Sequence, residues 1–351
     1  MNKYLFLISL AFWAFAFSSC DNSSESGEKS DSSLVTLKID APETGYIYIN
    51  GKYSGKKTPG EIKVTPGDVT VGIALENSRQ YLRRSIKTEG ETQEVNFNES
   101  DKQTPKKWKA LWVGVHEVKG QTANGICSSR FTKEQLDAGY DFFEWSIENH
   151  FEKMSYGTMD WEIERKDVDI PLMLKRSSDG TWYTLEQDVV TAAIPEIEPG
   201  AYDCVFLFWR EKEGSCDFTS PYFGLGWCDP LGDPIKTGFV TIKFNAKDDI
   251  NKAIQYYKDN DPGVYMHEWL HTVGEKYFQS RGYSLPEKAD DGFVVHAAEK
   301  YKYTYPWMNW YEDFVSGRVK DYNGRSVYYG IGPDAFLECS LRESATGDCD
   351  N

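Results

Sequence analysis

His267-Glu268-Trp269-Leu270-His271 is the stretch of this 351-residue chain from which its chemistry can be worked out. On a helix, residues four apart are separated by about 40° of rotation, so His267 and His271 leave one face and can share a zinc ion. Glu268 lies about 100° around the helix from His267, where its carboxylate can reach a water on the metal without taking a ligand position. The spacing therefore predicts two metal ligands and a general base.

The residues around this stretch favour a helix. Asp261 and Pro262 suit its start, as N-cap and first helical residue. Gly274 is expected to end or bend the helix. Three apolar residues fall on the side away from the histidines and predict a core-facing surface: Met266, Leu270 and Val273. The alternative, an amphipathic helix with ordinary polar histidines, is disfavoured by the ligand spacing beside a carboxylate.

The first residues of the chain predict export. Residues 1–19 combine a positively charged start with a short apolar run. Ser18-Ser19 before Cys20 resembles the lipobox of bacterial lipoproteins, although Phe17 stands where Leu is usual. The resemblance implies that Cys20 is lipidated and that the protein is anchored in the bacterial cell envelope. Residues 20–33 then form a polar, Ser-rich tether; a plain secretory signal is the alternative.

The net charge of the chain bears on its binding partners, and its cysteine content bears on the compartment in which it folds. The formal net charge of −16 argues against nucleic acid or anionic membrane surfaces as partners. Six cysteines besides Cys20 in an exported chain predict disulfides. The closest pairs in sequence are the expected ones, Cys216 with Cys228 and Cys339 with Cys349.

Residues 34–98 predict short strands separated by turns. Val35 to Ile39 alternates between apolar and polar side chains, as strands with one buried face do. Asn50-Gly51 and Pro66-Gly67 are turn signals between such strands. The segment therefore predicts a small all-β domain.

A set of proline, glycine and apolar residues recurs at characteristic positions of this segment: Pro42, Gly45, Ile47 to Gly51, Gly55, Thr58-Pro59 and Pro66-Gly67. In these positions the segment resembles the PEGA domain, a small β-sandwich of bacterial surface proteins. Thr44 is one residue more than the tighter motif from which that domain takes its name. The resemblance implies a spacer, or a module that contacts the cell surface or a glycan, and it implies no chemistry.

A polar linker at residues 99–107 separates this segment from a second domain, expected over residues 108–351. Strands and helices alternate through it. The predicted strands are 109–118, 161–164, 202–209 and 238–244. The predicted helices are 132–153, 185–197 and 248–258, followed by the helix that carries the two histidines.

A sheet followed by an H-E-x-x-H helix resembles the zincin metallopeptidases over roughly residues 108–315, with weaker likenesses at 151–157 and 222–227. The resemblance implies an α+β zincin-like metallopeptidase domain with Zn²⁺ as cofactor and a peptide or protein as substrate. Strand 238–244 is expected to lie at the sheet edge and hold an extended peptide by strand addition. The expected fold class is thus two-domain, an N-terminal all-β PEGA-like sandwich and a C-terminal α+β domain.

The third zinc ligand is less directly predicted. Catalytic zinc usually takes three protein ligands and keeps one position for water. Metzincins continue H-E-x-x-H-x-x-G-x-x-H, but this chain has Tyr277 where that third His belongs. His296 is the expected ligand, since imidazole suits zinc. Glu299 is the alternative, either as the ligand itself or as a group that supports His296, and Glu275, Tyr277 or an Asp remains open.

Aromatic residues follow this segment. Tyr301, Tyr303 and Tyr305 are candidate donors to an oxyanion, with simple aromatic packing as the alternative. Four residues at helical spacing predict core instead: Trp307, Trp310, Tyr311 and Phe314.

Together these features predict an exported, lipid-anchored zinc metallopeptidase in which Glu268 acts as general base. The alternative is a catalytically silent surface lipoprotein that binds glycan, cell wall or a protein partner. That alternative predicts that His296 and Glu299 both lie far from His267 and His271. Zinc-dependent hydrolysis of a non-peptide bond is a third option.

Overall fold

The computed structural model describes residues 34–178, 180–219, 224–228, 236–244 and 249–349. The export signal, Cys20 and the tether lie outside the described residues, so what the sequence predicts for them remains a prediction. The described chain divides into an N-terminal β-rich region and a C-terminal region of mixed α/β structure.

The N-terminal region consists of two sheets that share one core. One sheet has the order β4-β1-β7, and the other, fully antiparallel, has the order β3-β2-β5-β6. Apolar side chains from both sheets, such as Leu37, Ile73 and Leu82, form the core between them. The strands are β1 (Val35–Asp40), β2 (Gly45–Ile49), β3 (Lys52–Lys57), β4 (Gly60–Val64), β5 (Gly67–Leu75), β6 (Tyr81–Thr88) and β7 (Thr92–Asn96).

The predicted turn at Asn50-Gly51 joins β2 to β3. Both residues have positive φ angles, 49° and 75°. That is the combination a type I′ hairpin turn requires, and Asn-Gly adopts it at little cost. The strands predicted from alternation in this region are confirmed.

The C-terminal region is built on a five-stranded sheet with the order β11-β8-β15-β19-β18. The first four strands are parallel, and β18 is antiparallel to β19. The strands are β8 (Lys106–Val115), β9 (Glu117–Thr122), β10 (Gly125–Arg130), β11 (Met159–Val168), β12 (Leu172–Met173), β13 (Lys175–Arg176), β14 (Tyr183–Thr184), β15 (Cys204–Arg210), β16 (Lys212–Glu213), β17 (Cys216–Asp217), β18 (Gly224–Cys228), β19 (Gly238–Phe244), β20 (Val319–Lys320) and β21 (Tyr328–Tyr329).

Both faces of this sheet are buried. Along β15, Phe206 and Phe208 belong to one core, whereas Val205 and Leu207 belong to another on the opposite face. A parallel strand covered on both sides has this nearly continuous apolar sequence. The larger core includes the helix with the two histidines, so that helix packs on one face of the sheet.

The helices differ in detail from those predicted. The helix predicted over 132–153 begins at its N-cap Thr132 with a capping box, and it continues as a π-helical segment at Ile147–Phe151. The α-helices are α1 (Lys133–Ser146), α2 (Glu152–Met154), α3 (Gln187–Ala193), α4 (Ile250–Asn260), α5 (Val264–Trp269), α6 (Phe278–Ser280), α7 (Met308–Val315), α8 (Pro333–Glu338) and α9 (Leu341–Thr346).

Strand 238–244 is confirmed as β19, but its expected place at the sheet edge is wrong. β19 lies between β15 and β18, and all seven of its residues are buried. Among the described residues, the edge on this side is β18. Alternating hydrophobicity identifies a strand but carries no information about which neighbours it acquires.

The disulfides are partly as expected. Cys339 pairs with Cys349, as predicted. Cys216, however, pairs with Cys127 across 89 residues, and the predicted pair with Cys228 is wrong. Two disulfides suggest an extracellular or otherwise oxidising compartment. Within the described residues, none of the helices has the length and apolar character needed to cross a membrane.

Candidate metal centre

The helix that carries the two histidines begins later than expected. Its N-cap is Gly263, not Asp261, whose amide instead bonds Tyr257 O and closes α4. Gly263 is needed here because a Cβ at this position would lie 2.6 Å from the ring of Tyr311. The close approach of Tyr311 thus depends on the missing side chain.

Gly274 does not end this helix. α5 continues as a π-helical segment, Leu270–Tyr277, and then as α6, so the predicted stop at Gly274 is wrong. Gly274 is buried, and its Cβ would meet Leu270 Cδ2 at 2.7 Å. The predicted core-facing residues are confirmed, since Met266, Leu270 and Val273 are all fully buried.

Three histidines meet at the open face of this helix. His296 Nε2 lies 3.1 Å from His271 Nε2 and 3.3 Å from His267 Nε2. Zinc–nitrogen bonds of about 2.0–2.1 Å in a tetrahedron place neighbouring nitrogens about 3.3–3.4 Å apart. The three residues therefore form a group that could hold one metal ion.

In two of the three histidines, His267 and His296, the opposite ring nitrogen Nδ1 has a partner that supports this arrangement, whereas His271 Nδ1 is buried without a hydrogen bond to any of the described residues. His296 Nδ1 lies 2.5 Å from Asp291 Oδ2, and because a carboxylate accepts, Nδ1 is the donor of this pair and Nε2 is the nitrogen that faces the other two histidines. His267 Nδ1 lies 2.9 Å from the hydroxyl of Tyr311. Carboxylates and hydroxyls in this position orient a metal-binding imidazole and raise its basicity.

Glu275 connects the helix to the single turn of 3-10 helix, Val295–Ala298, that carries His296. Its Oε1 accepts a hydrogen bond of 2.7 Å from the amide of Val295, the residue before His296. The same oxygen is 3.6 Å from His271 Nδ1, which is too long for a hydrogen bond. Glu275 is buried and serves to hold the two segments together, and it lies outside the three-histidine group found among the described residues.

The remaining candidates for the third ligand lie elsewhere. Tyr277 is buried, and its hydroxyl is 3.1 Å from Cys339 O and 3.2 Å from Ser340 O. Glu299 is exposed and outside the three-histidine group, and the carboxylate that contacts His296 belongs to Asp291. Of the predicted alternatives, His296 is the residue that the fold brings to the pair.

Glu268 is buried on the side of the helix that faces the sheet edge. Only 6% of the residue is exposed. A Cβ on Gly224 would lie 2.7 Å from Glu268 Oε1, so this glycine at the start of β18 leaves room for the carboxylate. The predicted base is therefore next to the antiparallel edge strand.

Of the three tyrosines that are candidate oxyanion donors, two have hydroxyls that bond to other groups of the protein. The hydroxyl of Tyr301 accepts a hydrogen bond from the amide of Glu287, and that of Tyr303 donates to Asp313. Tyr305 is 57% exposed, with its ring against Trp307. The hydroxyl that contacts a histidine of the group is that of Tyr311, which the sequence indicated as core.

Burial determines the charge state of two of these groups. Burial, and then the neighbouring His271 and His296, hold the pKa of His267 well below its usual value. Burial, followed by the charges of Asp261 and Glu268, raises the pKa of Tyr311 well above its usual value. At neutral pH His267 is thus an uncharged imidazole, the form that binds a metal, and Tyr311 keeps its proton.

Asp291 and Tyr311 contact histidines of the group, and sequence reasoning singled out neither of them for such a contact. Asp291 is one of two adjacent aspartates in a polar loop, five residues before His296, a separation that gives no fixed geometry outside regular structure. Tyr311 shares its helical spacing with Trp310 and Phe314, which are buried core residues. Its hydroxyl is distinguished from theirs only by the tertiary contact with His267.

Neither a scan against protein-family models nor searches of curated proteins and of solved structures found a match to this chain. The resemblances to zincins and to PEGA domains therefore rest on residues of the chain itself. The geometry of the histidine group stands independently of them, since it follows from interatomic distances.

The hydroxyl of Tyr311 provides a first test of the site. We expect Tyr311→Phe to weaken zinc binding about 10- to 100-fold, because His267 Nδ1 loses its oxygen partner while the ring and its packing remain. The measurement is zinc affinity by competition with a chromogenic chelator. Tyr202→Phe is the matched control, because it also removes a tyrosine hydroxyl with a 2.9 Å partner, but that partner is Glu164 and not a histidine of the group. Equal affinities in both variants would contradict a role for Tyr311 at the metal.

Proposed function

We propose that this chain is an exported, lipid-anchored zinc metallopeptidase that hydrolyses peptide bonds. The observation that carries the proposal is the convergence of three imidazoles: His296 Nε2 lies 3.1 Å from His271 Nε2 and 3.3 Å from His267 Nε2, and the three ligand atoms all lie within 4.8 Å of one another. The donor set fits zinc, because neutral imidazoles suit this ion and three protein ligands leave a position for substrate or water.

When bound, zinc lowers the pKa of a coordinated water and polarises a carbonyl. Glu268 takes a proton from the attacking water while the water oxygen bonds to the carbonyl carbon of the substrate. As the carbon–nitrogen bond breaks, Glu268 returns that proton to the leaving amine. Burial of Glu268 beside Gly224 limits its motion and keeps water from surrounding the carboxylate.

The order of elements supports a zincin-like assignment. A mostly parallel sheet is followed in the chain by a helix bearing H-E-x-x-H, which packs on one sheet face. The edge strand β18 is antiparallel to its neighbour and begins at Gly224, beside Glu268. We assign to β18, rather than β19, the binding of an extended peptide by strand addition.

The silent-lipoprotein alternative predicts that His296 lies far from the other two histidines. The observed separations of 3.1 and 3.3 Å contradict that expectation. Hydrolysis of a non-peptide bond would use the same metal and base, so it is an outcome of the activity test. The two disulfides support an exported protein, which agrees with lipid anchoring at Cys20 in the cell envelope.

A peptidase assay with metal depletion and return tests the proposal. We expect purified protein to cleave an unfolded protein substrate, to lose cleavage when a chelator removes the metal, and to regain it when one equivalent of zinc is added. Mass spectrometry of the products should identify new peptide termini. Cleavage that persists after complete zinc removal, or zinc-dependent turnover of ester or glycan substrates without any peptide cleavage, would overturn it.

A further inference from the structure

Helix α7 (Met308–Val315) contacts one histidine of the group, His267, directly and a second, His296, through the preceding residue of the backbone. The hydroxyl of Tyr311 contacts His267 Nδ1 at 2.9 Å. The indole Nε1 of Trp310 donates a hydrogen bond of 2.8 Å to Val295 O, the carbonyl just before His296. A shift of this helix would therefore move both imidazoles.

The same helix is held on another side by the N-terminal β-rich region. Arg79, in the turn between β5 and β6, forms an ion pair of 2.8 Å with Glu312 of α7. The hydroxyl of Tyr48 on β2 donates a buried hydrogen bond of 2.7 Å to Ser316 O, immediately after the helix. Two parts of the N-terminal region thus contact the segment next to Tyr311.

Arg318 strengthens this junction. Its guanidinium lies 3.8 Å from the ring centre of Tyr46, on β2, and pairs with Glu312 at 2.8 Å and with Asp313 at 2.9 Å. Only 5% of its side chain is exposed. Charges desolvated in this way depend on their partners, because losing one leaves the others buried without compensation.

Aromatic packing continues the same contact surface. Tyr48 and Tyr81 of the N-terminal region share a buried cluster with Tyr156, which lies two residues after the end of α2 in the C-terminal region. Tyr53 of β3 packs edge to face on Tyr328 of β21, with ring centres 4.7 Å apart. A flexibly tethered spacer would not bury such groups against its neighbour.

We propose that the N-terminal β-rich region is a positioning element of the metal centre, acting through Arg79, Tyr48 and helix α7. It holds Tyr311 against His267, and Trp310 against the turn of His296, and so preorganises the ligands. This inference uses the metal site of the proposed function but does not depend on what the site hydrolyses. Its readout is metal binding, which remains measurable if peptide cleavage is never found.

The test compares two arginines of the N-terminal region. Arg79→Ala removes the ion pair to Glu312, whereas Arg84→Ala removes an ion pair of 2.6 Å to Asp101 that does not involve α7. Both arginine side chains are 35% exposed, so the two substitutions are closely matched. We expect Arg79→Ala to weaken zinc binding by roughly 3- to 30-fold, and Arg84→Ala to leave the affinity within about twofold of wild type.

Tyr48→Phe gives a second variant that removes one hydrogen bond without changing the packed ring. It should weaken zinc binding in the same direction as Arg79→Ala. The visible absorption spectrum of bound Co²⁺ adds a readout of ligand geometry that a general loss of stability would not move, and it should change in both variants but not in Arg84→Ala. Native zinc affinity in both Arg79→Ala and Tyr48→Phe, or equal weakening in Arg84→Ala, would overturn the proposal.

Discussion

Replacing Glu268 with Gln is expected to reduce peptide cleavage by about 10²- to 10⁴-fold while the protein still binds one zinc ion. Gln has the shape of Glu but cannot accept the proton of the attacking water at neutral pH. Because Glu268 is buried against Gly224, the isosteric change avoids the collapse or overpacking that other residues would cause. The loss should therefore be confined to the rate of the chemical step.

Two measurements on the same sample test this effect: the turnover rate at saturating substrate, and the zinc content by mass spectrometry. Glu211→Gln is the matched control, since Glu211 is also a buried carboxylate, 8% exposed, but pairs with Lys243. It should cleave at the wild-type rate if it folds. Undiminished cleavage by Glu268→Gln would exclude Glu268 as the base, whatever its zinc content.

Substituting His296 with Ala is expected to weaken zinc binding by about 10²-fold or more. Structural zinc sites with four ligands bind with roughly 10–16 kcal/mol, so one ligand accounts for about 3 kcal/mol. The substitution also leaves Asp291 without its imidazole partner, while the helix that carries His267 and His271 keeps its core contacts. Zinc-dependent stabilisation against heat should fall accordingly, because ligand binding raises the stability of the folded state.

Zinc affinity and the zinc-induced rise in Tm measure this loss. His116→Ala is a suitable control, since His116 is a partly exposed histidine outside the three-histidine group. It should bind zinc as the wild type does. Wild-type affinity in His296→Ala would mean that another residue completes the site.

Much of the fold follows from local pattern. The strand at Gly238–Phe244 has the predicted bounds, and the helix predicted from residue 132 begins directly after its N-cap, Thr132. Local signals are less dependable where two elements meet. Asp261 is a residue type common at N-caps, yet here its amide bonds Tyr257 O and closes α4. The next helix starts at Gly263 instead, where the absence of a side chain allows Tyr311 to approach.

In the candidate site, too, some residues follow from local sequence and others depend on tertiary contacts. Helical geometry alone puts His267 and His271 on one face, and scarcity of histidine makes His296 the natural third candidate. Asp291 and Tyr311 could not be identified in this way, since neither has a fixed spacing from the histidine it contacts. The Cys127–Cys216 disulfide could not be predicted either, because its two cysteines are 89 positions apart and only the fold brings them together.

A helix that presents two imidazoles and a carboxylate follows from the local sequence alone, because side-chain directions on a helix depend only on local backbone geometry. Which distant groups join these imidazoles depends on how the whole chain packs. His296 arrives from a separate turn, Tyr311 from α7, and the N-terminal region holds α7 through Arg79. Such contacts arise from the packing of whole elements, and packing depends on the entire fold rather than on residue spacing along the chain.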